Sequence, residues 1–283
     1  MKTPVTKLRK GRLRRGRPAI PEPTPETEAW IREHQPCSYW EATRRPFPSL
    51  LFVAPMAIGY EVAILVLEGE GRVGLRSGAD AWMRNGLATA GLSDPWFLPL
   101  ILGLILMGWQ LARSHDWRFS PAILGGMIAE SLVWAIALLG IGRLIDLGFS
   151  FLDHAQIPIL AASAAGTEKT ATGHPYLIAM IGYIGAGLYE ETLFRLMMVP
   201  VFYQILRVLQ SPQVLASSWA VVVSALLFAI AHHTGTPGEP FTWYVFVFRW
   251  MAGVFFAWVF VLRGFGIAVG THTAYDILVA WIG

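Results

Sequence analysis

Two adjacent glutamates and an arginine, Glu190, Glu191 and Arg195, stand inside a strongly apolar stretch of the sequence, where charged groups are costly. On an α-helix, Glu191 and Arg195 share a face and can form an ion pair. Glu190 is turned by about 100° from Glu191, and the position four residues after it is Phe194. We therefore expect one structural carboxylate and one free carboxylate, which can exchange protons near neutral pH. An ion-pair network that only locks helices together is the alternative.

Imidazole groups stand in two later apolar stretches. Phe228 and His232 are four residues apart, and so are His272 and Asp276, so each pair shares a helix face. An Asp can hold a His in one tautomer and orientation. Taken singly, a histidine at a helix end or a local His–Asp pair can be purely structural. Together, the three stretches supply the groups used to activate water and to stabilise an oxyanion.

The elements that carry these groups are predicted to be membrane helices. Of 283 residues, 54% are hydrophobic and only 14% are charged, whereas soluble domains carry about 25% charged residues. The apolar residues occur in runs that approach the roughly 20 needed to cross a bilayer, and backbone groups in lipid must be paired internally. We predict an all-α integral membrane protein, a polytopic bundle of about 7–8 transmembrane helices. The predicted spans are 48–67, 96–112, 120–142, 175–199, 214–232, 241–262 and 265–282.

Two parts of this bundle need closer definition. The segment 144–165 is partly apolar but contains Pro158, and it fits a re-entrant helix, a surface helix or an eighth span. If the fourth span ended near Pro200, Glu190 and His232 would differ in depth by about 15 Å. We therefore predict a helix that continues past Pro200 to about residue 209, with the proline as a kink.

The first 47 residues are predicted to be a cytoplasmic tail, and residues 48–283 a membrane-embedded helical domain. Eight of the 22 Lys and Arg residues lie in the first 17 positions, and residues 18–36 are rich in proline. A basic segment of this kind is typical of the cytoplasmic side of a membrane. Such a short run is only a weak signal for nucleic acid, so the lipid bilayer is the predicted partner. Arg72, Arg76 and Arg84 fall in the first external loop and count against this orientation.

Further polar and small residues lie within the spans. Glu61, Glu130 and Arg249 are ionisable, and we expect Arg249 to pair with one of the glutamates in a structural role. The small residues Gly182, Gly185, Ala186 and Gly187 precede Glu190, where they allow close helix approach or leave room for an extended peptide.

The three polar stretches resemble the motifs EExxxR, FxxxH and HxxxN of the CPBP family. Here they read Glu190-Glu191-x-x-x-Arg195, Phe228-x-x-x-His232 and His272-x-x-x-Asp276, in the family's order. That family includes the type II CAAX prenyl endopeptidases and bacterial proteins linked to bacteriocin processing and immunity. The resemblance covers about residues 175–283.

The resemblance implies an intramembrane endopeptidase of a membrane-associated or lipidated peptide or protein. By this analogy Glu190 and His232 activate a water molecule, and His272 and Asp276 stabilise the oxyanion. Glu191 and Arg195 support the site, as does Phe228 of the second motif. The third motif ends in Asp276 where Asn is better known, and an ionised Asp accepts hydrogen bonds only.

The sequence leaves two questions open: whether the site uses a metal ion, and which function the protein has. Glu190, His232 and His272 could form a zinc site with an open position for water, but a water activated by glutamate needs no metal, and we favour no cofactor. The competing functions are a catalytically silent immunity or scaffold protein of the same fold, and a proton-coupled transporter. The high usage of Arg and Gly suggests a bacterial cytoplasmic membrane as the location, where prenylated substrates are not expected.

Overall fold

The computed structural model describes residues 38–71, 74–113, 116–117, 119–152, 175–234 and 240–282, together with Thr24 and Thr27. The chain divides into two compact units, Met1–Cys37 and Ser38–Gly283. In the first unit the hydroxyl groups of Thr24 and Thr27 are 2.7 Å apart. The rest of the basic and proline-rich tail lies outside the described residues, so the boundary at residue 47 stays a prediction.

The described part of the second unit is helical throughout and contains no strand. Its helices are α1 (Tyr39–Ala42), α2 (Pro46–Gly69), α3 (Gly78–Thr89), α4 (Phe97–Ala112), α5 (Pro121–Leu152), α6 (Pro175–Glu190), a π-helix (Glu191–Met198), α7 (Val199–Val208), α8 (Gln213–Ala231), α9 (Trp243–Arg263) and α10 (Phe265–Ile282).

Six of these helical stretches are long and apolar enough to cross a membrane: α2, α5, α6 with its extension through α7, α8, α9 and α10. The remaining predicted span, 96–112, corresponds to α4, which is apolar but shorter, at 16 residues. The predicted all-helical polytopic bundle is therefore confirmed. Helix α5 continues to Leu152, so residues 144–152 belong to the third span, while 153–165 lie outside the described residues.

Helix α10, which carries the third motif, is the central helix of the bundle. It packs against α2, α5, α6 and α9, and 61% of its 18 residues are buried. Small residues permit this packing: a Cβ at Gly270 would lie 2.4 Å from Ser131 Oγ of α5. Close backbone approach of this kind is typical of helix association in lipid. The third motif is therefore held by neighbours on several sides.

A single residue, Gly264, joins α9 to α10. Its φ of +94° lies in the region that favours glycine, and a Cβ there would meet the carbonyl oxygen of Thr43 at 2.6 Å. The connection thus brings the segment between α1 and α2 against the start of α10.

Helix α3 was not among the predicted elements. Ser77 caps its first turn by accepting a hydrogen bond from the backbone N–H of Asp80. Both Arg76 and Arg84 pair with Asp80 and with Glu61 of α2. Their charges are matched by buried carboxylates, while Arg72 lies outside the described residues, so the orientation stays a prediction.

The other intramembrane glutamate also has an arginine partner. Glu130 of α5 forms an ion pair with Arg263 at the end of α9 and accepts a hydrogen bond of 2.7 Å from the hydroxyl group of Tyr39. Glu61 and Glu130 thus both pair with arginines, and the expected pairing of Arg249 with a glutamate stays a prediction. The charge of Arg249 acts electrostatically on Glu190.

Candidate active site

The first motif lies where the helix changes its winding. The chain is α-helical to Glu190, π-helical over Glu191–Met198, and α-helical again to Val208. The helix therefore continues past Pro200, as predicted, although the π segment was not foreseen. Ser224 of α8 donates a 2.5 Å hydrogen bond to the carbonyl oxygen of Phe194 within this segment. Segments of π-helix occur frequently at functional sites, because the wider turn re-aims side chains.

Glu190 faces both motif histidines. Its Oε2 lies 3.7 Å from Nε2 of His232 and 3.8 Å from Nε2 of His272. This oxygen is buried and has no hydrogen-bond partner among the described residues. Side chains from three separate spans therefore converge on one carboxylate oxygen, and Glu190 and His232 lie at the same depth.

The orientation of His232 is fixed by its own helix. The residue follows the last turn of α8, and its Nδ1 donates to the backbone carbonyl of Phe228 at 2.8 Å. The two rings also lie 4.6 Å apart. A neutral imidazole that donates from Nδ1 carries its lone pair on Nε2. Nε2 of His232 can therefore accept a hydrogen bond on the side that faces Glu190.

The ring of His272 is oriented by a side chain from another helix, Glu191 of the π-helix. Its Nδ1 lies 2.8 Å from Oε1 of Glu191, and its Nε2 lies 3.7 Å from Oδ2 of Asp276. The ring stacks on Phe256 at 4.4 Å with an interplanar angle of 14°. Asp276 was expected to orient this imidazole, but Glu191 makes the closer contact. The spacing of residues within α10 could indicate only Asp276, because Glu191 is far from His272 in the sequence.

The predicted ion pair between Glu191 and Arg195 is present, at 3.1 Å. Arg195 is fully buried and donates to the carbonyl oxygen of Gly253 at 3.0 Å. Its guanidinium lies 4.3 Å from the ring centroid of Phe228, a distance at which cation–π attraction is significant. Arg195 thereby connects all three motifs, since Phe228 holds His232 and Glu191 contacts His272.

Glycine lets α6 and α10 approach closely beside the site. A Cβ at Gly187 would lie 2.2 Å from Thr273 Oγ1 and 2.9 Å from the Thr273 backbone nitrogen, next to His272. A Cβ at Gly182 would meet nothing within 4 Å. The small residues before Glu190 are therefore not equivalent, and Gly187 is the one that brings the helix of Glu190 against α10.

Arg249 was placed outside the site by sequence reasoning, but it lies near it. The residue is 8% exposed on α9, and its charge acts on both Glu190 and His232. No motif spacing could have indicated this, because α9 lies between the second and third motifs and carries neither. Its position depends on how α9 packs against α8 and α10.

The donor atoms have the types that zinc prefers, but not its arrangement. Tetrahedral zinc with bonds of about 2.0–2.2 Å holds its ligand atoms about 3.3–3.5 Å apart. Glu190 Oε2 stands 3.7 and 3.8 Å from the two histidine nitrogens. Across the described residues, no group of three or more His, Cys, Asp or Glu side chains is arranged to hold a metal ion.

The fold and this site define a polytopic helical membrane protein with a buried polar centre. Residues 172–278 match the family model described as Type II CAAX prenyl endopeptidase Rce1-like. This range contains all three motifs, and it identifies an Rce1-like domain consistent with the CPBP family, which confirms the resemblance inferred from the sequence. Comparison with curated proteins and with solved structures found no match. The family match supports a protease of the CAAX type, embedded in a membrane.

Proposed function

We propose that this protein is an intramembrane endopeptidase that hydrolyses a peptide bond with a water molecule activated by Glu190 and His232. The observation that supports this most strongly is the buried Oε2 of Glu190, which lies within 4 Å of two imidazole nitrogens and has no described hydrogen-bond partner. These separations are too long for direct hydrogen bonds, yet all three groups can contact the same water molecule.

The proposed reaction begins with proton transfer from that water to Glu190, while His232 Nε2 accepts its second hydrogen in a hydrogen bond. The water oxygen bonds to the scissile carbonyl carbon, and the carbonyl oxygen becomes an oxyanion. His272 acts as an imidazolium in this step: its Nδ1–H donates to Glu191, which holds the ring, and its Nε2–H donates to the oxyanion. The carbon–nitrogen bond then breaks, and Glu190 returns the proton to the leaving amine.

Asp276 has a conditional role in this scheme. Its Oδ2 lies beside Nε2 of His272. A protonated Asp can donate to the oxyanion together with His272, whereas an ionised Asp can only accept. Glu191, Arg195 and Phe228 act through their neighbours and are positioning residues.

The proposed substrate is a membrane-associated or lipidated peptide or protein, because Glu190 and His272 lie within spans and His232 lies at the end of one. We place the enzyme in a bacterial cytoplasmic membrane with its N-terminus in the cytoplasm. The pairing of Arg76 and Arg84 with buried acids supports that orientation, since two of the three arginines that count against it are then neutralised. A proton-relay transporter through Glu61 and Glu130 is disfavoured, because both carboxylates are held by arginines.

The test is digestion of a membrane-anchored peptide library, in which matched members carry or lack an isoprenyl group, by the purified full chain in liposomes. The wild type, Glu190→Gln and the matched control Glu41→Gln are compared with and without chelator, and products are identified by mass spectrometry. Glu41 is an exposed carboxylate outside the site, 68% exposed.

We expect products from the wild type and from Glu41→Gln, none from Glu190→Gln, and no effect of chelator. Equal cleavage by Glu190→Gln would reject the proposed mechanism. Loss of activity with chelator that zinc restores would replace it with a metal-dependent one. A folded wild type that cleaves no library member would favour the silent scaffold.

A further inference from the structure

A cavity separate from the candidate active site opens where three connections meet. It has a volume of about 340 Å³ and lies at the end of α4, at the turn between α9 and α10, and at the segment between α1 and α2. Its lining combines two arginines with apolar and aromatic side chains: Arg44, Trp109, Arg113, Phe260, Val261 and Gly264. The volume is within the range of small-ligand sites, roughly 300–1,000 Å³.

The position of Arg44 is fixed by contacts on both sides of the residue. Arg263 donates to the carbonyl oxygen of Trp40 at 3.1 Å, and its guanidinium lies 3.8 Å from the Trp40 ring centroid. Gly264 packs directly on the backbone, since a Cβ there would lie 3.0 Å from the Cα of Arg44. The segment that carries Arg44 is therefore held against the α9–α10 turn.

The opposite wall is fixed by Gln110 of α4. Its side-chain oxygen accepts a 3.2 Å hydrogen bond from the backbone N–H of Phe47, which ties the end of α4 to the start of α2. Arg113 caps α4 through its backbone N–H, bonded to the carbonyl oxygen of Trp109 at 3.2 Å. The two arginines are thus presented by separate, mutually anchored segments.

Among the described residues, no carboxylate lines the cavity to balance its charge. Within the described part of the chain, neither Arg44 nor Arg113 forms an ion pair, and both are exposed. By contrast, Arg76, Arg84, Arg195 and Arg263 all pair with glutamate or aspartate. Two unneutralised guanidinium groups at one cavity favour an anion with several acceptor oxygens, such as a phosphate.

The side chains around the two arginines indicate whether the phosphate is a free ion or part of a lipid. Beside the arginines, the lining is apolar and aromatic, and its residue Val261, near the end of α9, is 49% exposed. A free inorganic ion would use the arginines alone, whereas a phospholipid would also cover this apolar surface. Basic pockets between membrane helices are known sites for anionic lipid head groups.

We propose that this cavity binds an anionic phospholipid, with its phosphate between Arg44 and Arg113 and an acyl chain along the exposed side chain of Val261. The site is independent of the proposed catalytic reaction, and its occupant contacts the turn that leads into α10.

The test measures lipid binding by the delipidated full chain in a neutral detergent, through thermal shift and native mass spectrometry. The probes are phosphatidylglycerol, phosphatidylcholine with the same acyl chains, and inorganic phosphate. The double variant Arg44→Gln/Arg113→Gln is compared with the control Arg207→Gln, which changes an exposed arginine that also lies at a helix end and donates to Ser211.

We expect phosphatidylglycerol to raise the melting temperature of the wild type and of Arg207→Gln well above the value in phosphatidylcholine. The double variant should bind phosphatidylglycerol roughly 30-fold more weakly, because each basic side chain contributes a factor of about five. It removes no described ion pair, so its melting temperature without lipid should match the wild type.

Three results would overturn the proposal. The first is wild-type affinity for phosphatidylglycerol in the double variant. The second is an equal shift with phosphatidylcholine, which would remove the role of the charge. The third is an equal shift with inorganic phosphate, which would make the cavity a simple anion site.

Discussion

Two buried polar clusters lie on different faces of the same helix, at the consecutive residues Tyr189 and Glu190. On one side, Glu61 accepts a hydrogen bond from Tyr189 and pairs with Arg76 and Arg84. On the other side, Glu190 faces His232 and His272 at distances too long for direct hydrogen bonds. Both clusters place buried carboxylates next to arginines: Arg76 and Arg84 are 16% exposed in the first, and Arg195 is fully buried in the second.

The clusters differ in how completely their carboxylate oxygens are matched. Asp80, in the cluster of Glu61, accepts from Tyr60 at 2.8 Å and from Arg76 at 3.1 Å. In the candidate active site, one oxygen each of Glu190 and Glu191 has no described hydrogen-bond partner. Unmatched buried oxygens cost stability, so a protein that keeps them has a use for them. A buried charge alone therefore does not indicate catalysis, whereas an unmatched one next to imidazoles does.

The largest expected effect is that of Glu190→Gln on activity. We expect kcat/KM for peptide cleavage to fall by about 10²–10⁴-fold, because the general base is removed. The free energy of unfolding should equal or exceed that of the wild type, since no described hydrogen bond is lost and a buried charge is replaced by an amide. Cleavage assays and thermal denaturation of the same preparation check both. A marked loss of stability would put Glu190 in the same class as Glu61.

Glu61→Gln should show the reverse pattern. Removing one partner of a buried pair costs about 3–5 kcal/mol, and here two guanidinium groups lose a carboxylate. We expect the free energy of unfolding to fall by that amount, while cleavage per folded molecule stays close to the wild type. Denaturation curves and active-site titration separate the two quantities. A folded but inactive Glu61→Gln protein would contradict the division between the clusters.

The packing between α6 and α10 gives a smaller effect with an internal control. In Gly187→Ala the new methyl group meets the Thr273 backbone beside His272, so we expect about 1–3 kcal/mol of destabilisation and a fall in kcat. Gly182→Ala meets nothing within 4 Å and should leave both quantities unchanged. Parallel melting and cleavage measurements test this pair, and equal behaviour of the two variants would show that close approach at Gly187 is unimportant.

Asp276→Asn should have the smallest effect. The amide supplies a hydrogen-bond donor next to His272 and cannot repel an oxyanion, so we expect kcat to be unchanged or raised. Steady-state kinetics at fixed pH measure it. A fall of about a hundredfold or more would instead assign Asp276 a proton-accepting role comparable to that of Glu190.

Much of the bundle could be predicted because its signal is local. Apolar runs indicated every long helix, and the depth of Glu190 relative to His232 required the helix to continue past Pro200. Helix α3 was missed because it is short and contains charged residues that act as partners of Glu61. The π-helix was missed because one extra residue per turn does not disturb the apolar pattern.

The site was predictable in its members but not in its connections. Motif spacing indicated Glu190, His232, His272 and the pair of Glu191 with Arg195. It could not indicate that Glu191 holds His272, or that Arg249 lies near Glu190, because both contacts join helices that are distant in sequence. Such contacts depend on tertiary packing, which a single sequence does not encode in any short pattern.

The one-residue joint at Gly264 has a mechanical consequence. Because only one residue separates α9 from α10, a change in the tilt of α9 is transmitted directly to α10, which carries His272. Helices adjust their tilt when the hydrocarbon thickness changes. Membrane thickness is therefore expected to change the distance between His272 and Glu190. The turnover of the unchanged protein should differ between bilayers of short and long acyl chains.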